Sequence, residues 1–171
     1  MNIALIGMMG SGKTTISKLL VDKISEFSFV DTDLIIVERE NMTINDIFSL
    51  KGEDYFRSVE TKVLEDILAN DNQVVSTGGG IVKKEQNILL LKEKSIVVYL
   101  EASSDVLFER VKNNKERPLL NVSDMKNKIE TILSERISLY QKAHITVNTE
   151  NKTPDIIVSE ILKELKNYAK S

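Results

Sequence analysis

The sequence predicts an α/β fold in three layers: a five-stranded parallel sheet with helices on both faces. Three observations point there. Short β-branched runs recur without polar alternation, as in strands buried on both faces. Helix-patterned stretches fill the gaps between them. Two glycine-rich segments follow directly on the first and third runs, and open α/β sheets bind ligands beyond such strand ends.

The elements follow in order. Asn2–Ile6 is the first strand, and a glycine loop leads from it into a helix over Lys13–Ser25. Phe27–Val30 forms the second strand, with a helix over Leu34–Glu40 behind it. Ile44–Leu68 has a helical pattern that Gly52 should break. Gln73–Ser76 is the third strand and runs into three consecutive glycines. Helices are expected over Lys84–Lys92 and Ser104–Lys112, with the strand Ser95–Leu100 between them. Met125–Lys142, the strand Ile145–Val147 and the helix Pro154–Ala169 complete the chain, with Asp105 and Pro154 at helix starts.

The length of 171 residues fits one domain, 1–171, large enough to bury a core without staples. There are no cysteines and a single histidine, His144, which excludes disulfides, thiolate chemistry and His-rich metal clusters. A net charge of -3 speaks against a nucleic-acid surface, and no apolar run reaches a membrane span of about 20 residues. A cytoplasmic monomer acting on small molecules is the expectation. Of the 23 basic residues only five are Arg, namely Arg39, Arg57, Arg110, Arg117 and Arg136. Arg is required where a planar fork must grip a carboxylate or phosphate, so each is a candidate binding residue.

GMMGSGKT, Gly7 to Thr14, matches the phosphate-binding P-loop pattern and sits between a strand and a helix. Backbone N–H groups of Gly10, Ser11 and Gly12 would form an anion nest at the helix N-terminus, with Thr15 one step further along. Lys13 would reach the β- and γ-phosphates, and Thr14 would offer a hydroxyl to Mg²⁺. The third strand ends in Ser76 and Thr77, where many P-loop proteins place a metal-holding Asp. FVDTD, Phe29 to Asp33, carries acids on the second strand instead. Strand alternation would place Asp31 and Asp33 on one side, Asp31 toward Mg²⁺ and Asp33 toward an acceptor hydroxyl. The ordinary alternative is that Asp33 is a helix N-cap. GTPase chemistry lacks its signature, since NKER, Asn114 to Arg117, has no final Asp.

GMMGSGKTT, DTD, DYFRSVE, STGGGIV, ERPLL and RISLYQKA occur in an order and spacing that resemble shikimate kinase, a P-loop family of nucleoside monophosphate kinase-like fold. The similarity runs from about Asn2 to Pro154. The resemblance implies MgATP and shikimate as substrates, with transfer to the 3-hydroxyl of shikimate. It implies that Asp33 binds the acceptor hydroxyls and that Arg57 and Arg136 clamp the carboxylate. Glu60 would orient Arg57 from one turn away. Gly78, Gly79 and Gly80 would let backbone approach the ring, Gly79 foremost. Phe48 and Phe56 would form an apolar wall, or simply helix core. A mobile lid over about 112–124 would bring Arg117 onto the transferring phosphoryl group. Arg110 would stack on adenine, with Lys152 and Pro154 opposite; family members often carry an Arg where this chain has Lys152. His144 has no role in the scheme and reads as structural. Two alternatives remain: a gluconate-type kinase, and a non-catalytic ATP-binding regulator.

Overall fold

The computed structural model describes residues 1–112 and 124–170. Its sheet has five parallel strands: β1 (Asn2–Ile6), β2 (Ser28–Asp31), β3 (Gln73–Ser76), β4 (Ser95–Glu101) and β5 (Ile145–Asn148). Their order across the sheet is β2-β3-β1-β4-β5. The central strands are the most buried: every residue of β1 is buried, and β4 is buried up to its last residue. The edge strands differ. In β5, buried Ile145 and Val147, packed with Ile157, Val158 and Ile161 on one face, alternate with exposed Thr146 and Asn148 on the other.

Helices cover both faces. α1 (Lys13–Lys23) and α7 (Pro154–Tyr168) pack on one side, where Ile16, Leu20, Ile157 and Ile161 meet Ile3, Leu5 and Val98. α2 (Thr32–Glu40), α3 (Ile44–Leu68), α4 (Glu85–Lys94), α5 (Ser104–Val111) and α6 (Met125–Tyr140) cover the other. There Ile36, Phe56, Leu64, Leu91, Leu107 and Ile132 enclose Ala4, Ile6, Val75 and Tyr99. Alternate residues of β1 and β4 thus serve opposite layers, as strand periodicity requires. Gly52 kinks α3 at φ 84, ψ 169, a conformation that disfavours side chains, although a Cβ there would meet nothing.

The second strand and the helix after it differ from expectation. β2 ends at Asp31, and Thr32 and Asp33 already belong to α2. The N-cap is Asp31, not Asp33: its Oδ1 accepts from the N–H groups of Asp33 at 3.0 Å and Leu34 at 3.4 Å. Local capping chemistry outweighs strand alternation here. His144 is structural, as expected. Its Nδ1 accepts from the Val97 N–H at 3.0 Å, and burial, followed by nearby Lys92, lowers its pKa. Among the described residues no helix is long and apolar enough to cross a membrane.

Candidate active site

The phosphate loop joins β1 to α1. Gly7, Gly10 and Gly12 adopt φ of 147°, 82° and 97°, a region that side chains strain to enter. Gly12 caps α1 without any side-chain acceptor, so the first N–H groups of the helix stay available to an anion. Lys13 is buried and lies back over the loop, donating to the carbonyls of Gly7 at 2.9 Å and Met8 at 3.0 Å. Gly10 packs against α5: a Cβ there would stand 2.6 Å from Val111 Cγ1.

Thr14 connects the loop to both neighbouring strand ends. Its hydroxyl donates to Asp31 Oδ2 at 3.1 Å and pairs with Ser76 Oγ at 3.2 Å. Asp31 and Ser76 are register partners on β2 and β3. The two Asp31 oxygens therefore divide their work, Oδ1 capping α2 and Oδ2 facing the phosphate loop. Two hydroxyls and one carboxylate oxygen form a hard, oxygen-only donor set, which suits Mg²⁺ that keeps several of its waters.

The region beyond the carboxyl end of β3 is organised around the three glycines. Thr77 ties their start to β1, its Oγ1 donating to Leu5 O at 2.8 Å. Gly78 N–H donates to the buried Thr32 hydroxyl at 3.0 Å, tying the run to α2 as well. Each glycine then meets a different set of polar side chains. A Cβ on Gly78 would lie 2.7 Å from Asp33 Oδ1, and one on Gly80 would lie 2.4 to 2.7 Å from the Arg57 guanidinium. The Gly79 carbonyl accepts from Arg136 Nη1 at 3.2 Å and Tyr140 OH at 2.5 Å. Gly79, expected to lie nearest the ligand, turns its Cα toward the phosphate loop: a Cβ there would be 3.3 Å from Met9 N. The room next to Asp33 and Arg57 comes from Gly78 and Gly80.

Arg57 is nearly buried and held from several directions. Nη1 donates to Glu60 Oε2 at 2.7 Å, while Nε and Nη2 both donate to Glu53 Oε1 at 3.2 Å. Lys83 Nζ also donates to that Glu53 oxygen. The guanidinium carbon lies 5.0 Å from the Phe56 ring centroid and 5.9 Å from that of Phe48. Those rings pack on each other at 4.6 Å, so they brace the fork as well as filling the core. Burial raises the pKa of Glu60, and the adjacent Arg57 charge opposes that shift.

Beside α5, Asp105, Val106, Glu109, Arg110 and Asn151 line an open groove of about 360 Å³. Arg110 donates through Nη1 to Thr149 Oγ1 at 3.0 Å and through Nη2 to Thr149 O at 2.9 Å, which fixes it beside the groove. Lys152 instead pairs with Glu160 of α7 at 2.7 Å, and Pro154 opens that helix behind its N-cap Thr153.

The family model described as Shikimate kinase matches residues 9–166. The chain belongs to the shikimate kinase family. The "Shikimate kinase" of Dehalococcoides mccartyi (strain BAV1) is 45% identical over 168 residues, which is 98% of this chain and 94% of that protein. A structure of shikimate kinase from Acinetobacter baumannii in complex with shikimate superposes with a TM-score of 0.93 at 34% identity, covering 98% of this chain and 93% of that one. A gluconokinase from Sinorhizobium meliloti shares the fold, with a TM-score of 0.62 at 18% identity, covering 99% of this chain and 93% of that one.

For a shikimate kinase, the residues expected from sequence are well gathered. Lys13, Thr14, Asp31 and Asp33 meet the glycine run, Arg57 and Arg136 around the carboxyl ends of β1, β2 and β3. Arg117 and nearly all of the expected lid lie outside the described residues. Sequence reasoning missed Glu53, Lys83 and Thr32, and it gave Tyr140 no task. Two of these left a signal: Glu53 stands four residues before Arg57, and Tyr140 four after Arg136, the spacing of neighbours on one helix face.

Proposed function

We propose that the chain transfers the γ-phosphoryl group of MgATP to the 3-hydroxyl of shikimate. One observation carries this: three consecutive glycines are met in turn by a carboxylate and two guanidinium groups, beside a phosphate loop. A ligand seated there finds a hydroxyl-binding acid at one end and paired cations for a carboxylate at the other. This arrangement favours shikimate over gluconate-type acceptors and has no evident use in a non-catalytic regulator.

The residues divide the work as follows. Lys13 exchanges the carbonyls of Gly7 and Met8 for the β- and γ-phosphate oxygens, which carry more charge. Thr14 and Asp31 Oδ2 hold Mg²⁺ with its remaining waters; bound there, Mg²⁺ supplies positive charge to the phosphate oxygens. Asp33 accepts a hydrogen bond from the acceptor hydroxyl and aims its oxygen at the γ-phosphorus. The new O–P bond forms as the bond between the γ-phosphorus and the β–γ bridging oxygen breaks, and the hydroxyl proton passes toward Asp33. A loose phosphoryl-transfer transition state demands mainly positioning, which this rigid surround provides. Arg57 and Arg136 fix the other end of the ring through its carboxylate.

ADP release coupled to an optical readout, with MgATP and either shikimate, gluconate or no acceptor, tests the reading. Turnover that depends on shikimate is the expected result. Turnover with gluconate alone would overturn the acceptor assignment, and ATP binding without acceptor-dependent turnover would overturn the kinase.

A further inference from the structure

We propose that Glu53 is a stand-in for the substrate carboxylate, occupying the two-donor edge of Arg57 until substrate displaces it onto Lys83. The proposal rests on the acceptor-site reading above.

Arg57 has two carboxylate partners, and they are not equivalent. Glu60 takes Nη1 at 2.7 Å with a side chain only 1% exposed, so it has nowhere to go. Glu53 takes Nε and Nη2 with a side chain 45% exposed, so it can swing into solvent. Its grip is also the poorer one. A single oxygen, Oε1, spans both donors at 3.2 Å each, whereas a good fork pairs two oxygens with two N–H groups. The same oxygen already accepts from Lys83, so a second cation is in place to receive it. The Lys83 bond is the main cause that lowers the pKa of Glu53, and Arg57 adds to it, which keeps the group anionic.

The exchange conserves charge pairing. With the pocket empty, Glu53 neutralises the exposed edge of Arg57. When an incoming carboxylate takes that edge with two oxygens, Glu53 stays paired with Lys83. Glu53 immediately follows the kink at Gly52, so its retreat need not disturb Arg57 four residues on. Its presence weakens substrate binding, because each binding event must first break its hold.

The test is calorimetric titration of shikimate and its methyl ester into the wild-type chain and the variants Glu53→Gln, Glu53→Ala and Lys83→Met, with steady-state kinetics alongside. Glu53→Gln and Glu53→Ala should bind shikimate about two- to fivefold more tightly, the range for releasing a partly exposed ion pair. KM should fall with kcat unchanged, and the methyl ester should gain nothing. Lys83→Met should bind shikimate more weakly, and adding Glu53→Gln to it should abolish that loss. Equal or weaker binding by both Glu53 variants would show that Glu53 only props Arg57, overturning the inference. A methyl ester that gains as much as the acid would overturn it too. A wild-type chain that binds no shikimate would instead overturn the functional reading and this inference with it.

Discussion

Replacing Gly80 with Ala adds one methyl group at the most crowded point of the site. The backbone accepts the change, since Gly80 sits at φ -99 and ψ 3, open to any residue. The obstruction is the guanidinium of Arg57, whose Nη2, Nη1 and Cζ would lie 2.4, 2.6 and 2.7 Å from the new Cβ. Ordinary contact needs about 3.5 Å, so the guanidinium must retreat by about 1 Å. Arg57 cannot do this freely. Glu60 holds Nη1 from a buried position, and the rings of Phe48 and Phe56 lie alongside the fork. A displacement of about 1 Å in a positioning group can reduce activity on the order of a hundredfold. Shikimate-dependent kcat/KM should therefore fall about a hundredfold, mostly through KM, while calorimetric ATP affinity stays within about twofold, since the new methyl group points at Arg57 and not at the phosphate loop. Thermal unfolding should shift little, because the end of one side chain moves and the smaller backbone entropy of the unfolded Ala chain, about 0.4–1 kcal/mol, offsets part of the strain. A variant with unaltered KM for shikimate would refute the placement of Arg57 against Gly80 as the carboxylate-binding fork.

Other outcomes follow from the same geometry. Asp33→Asn should lower kcat at least tenfold while leaving ATP affinity intact, as measured by ADP release and calorimetry; near-normal turnover would remove Asp33 from the acceptor site. Tyr140→Phe removes the 2.5 Å bond to the Gly79 carbonyl. One such bond is worth about 0.5–1.5 kcal/mol, so KM for shikimate should rise about two- to tenfold. For His144, burial and then Lys92 depress the pKa below its ordinary value of 6.5. The folded state thus binds the proton less readily than the unfolded state. Its contribution is present above pH 6.5 and lost as the pH falls through the lowered pKa. Melting temperatures should therefore drop on acidification below pH 6.5, and His144→Gln should flatten that part of the profile; identical slopes would count against a neutral His144.

The central strands and most helices were legible because burial on both faces writes itself into continuous apolar runs. The kink at Gly52 was legible for a similar reason, since glycine is a poor helix former with few other uses there. The DTD segment was misread. Two acids at alternate positions resemble a strand end, yet the Asp31 carboxylate bonds to the N–H groups of Asp33 and Leu34 and starts a helix at Thr32. The chemistry was visible, but the competition between cap and strand was not. The sequence singled out Gly79 within the glycine run but did not show what each of the three would face. Which glycine faces Asp33, the phosphate loop or Arg57 depends on the direction of each Cα, set by Thr77 and Thr32 from elements distant in sequence. Glu53 shows a different limit. Its spacing to Arg57 was readable, but its link to Lys83, 30 residues later, was not.

The capping of α2 by Asp31 fixes two carboxylates of the site to one another. The carboxylates proposed above to face the metal and the acceptor, Asp31 and Asp33, sit at the N-cap and in the first turn of one short helix, joined by the Asp31 Oδ1 bond to the Asp33 amide. The first turn of α2 therefore works as a fixed ruler between two carboxylates. If the helix tilts or slides, Asp31 and Asp33 travel together, and the spacing between them is preserved. Any movement of that turn shifts both carboxylates as one unit relative to the phosphate loop, so the two cannot be adjusted independently of each other.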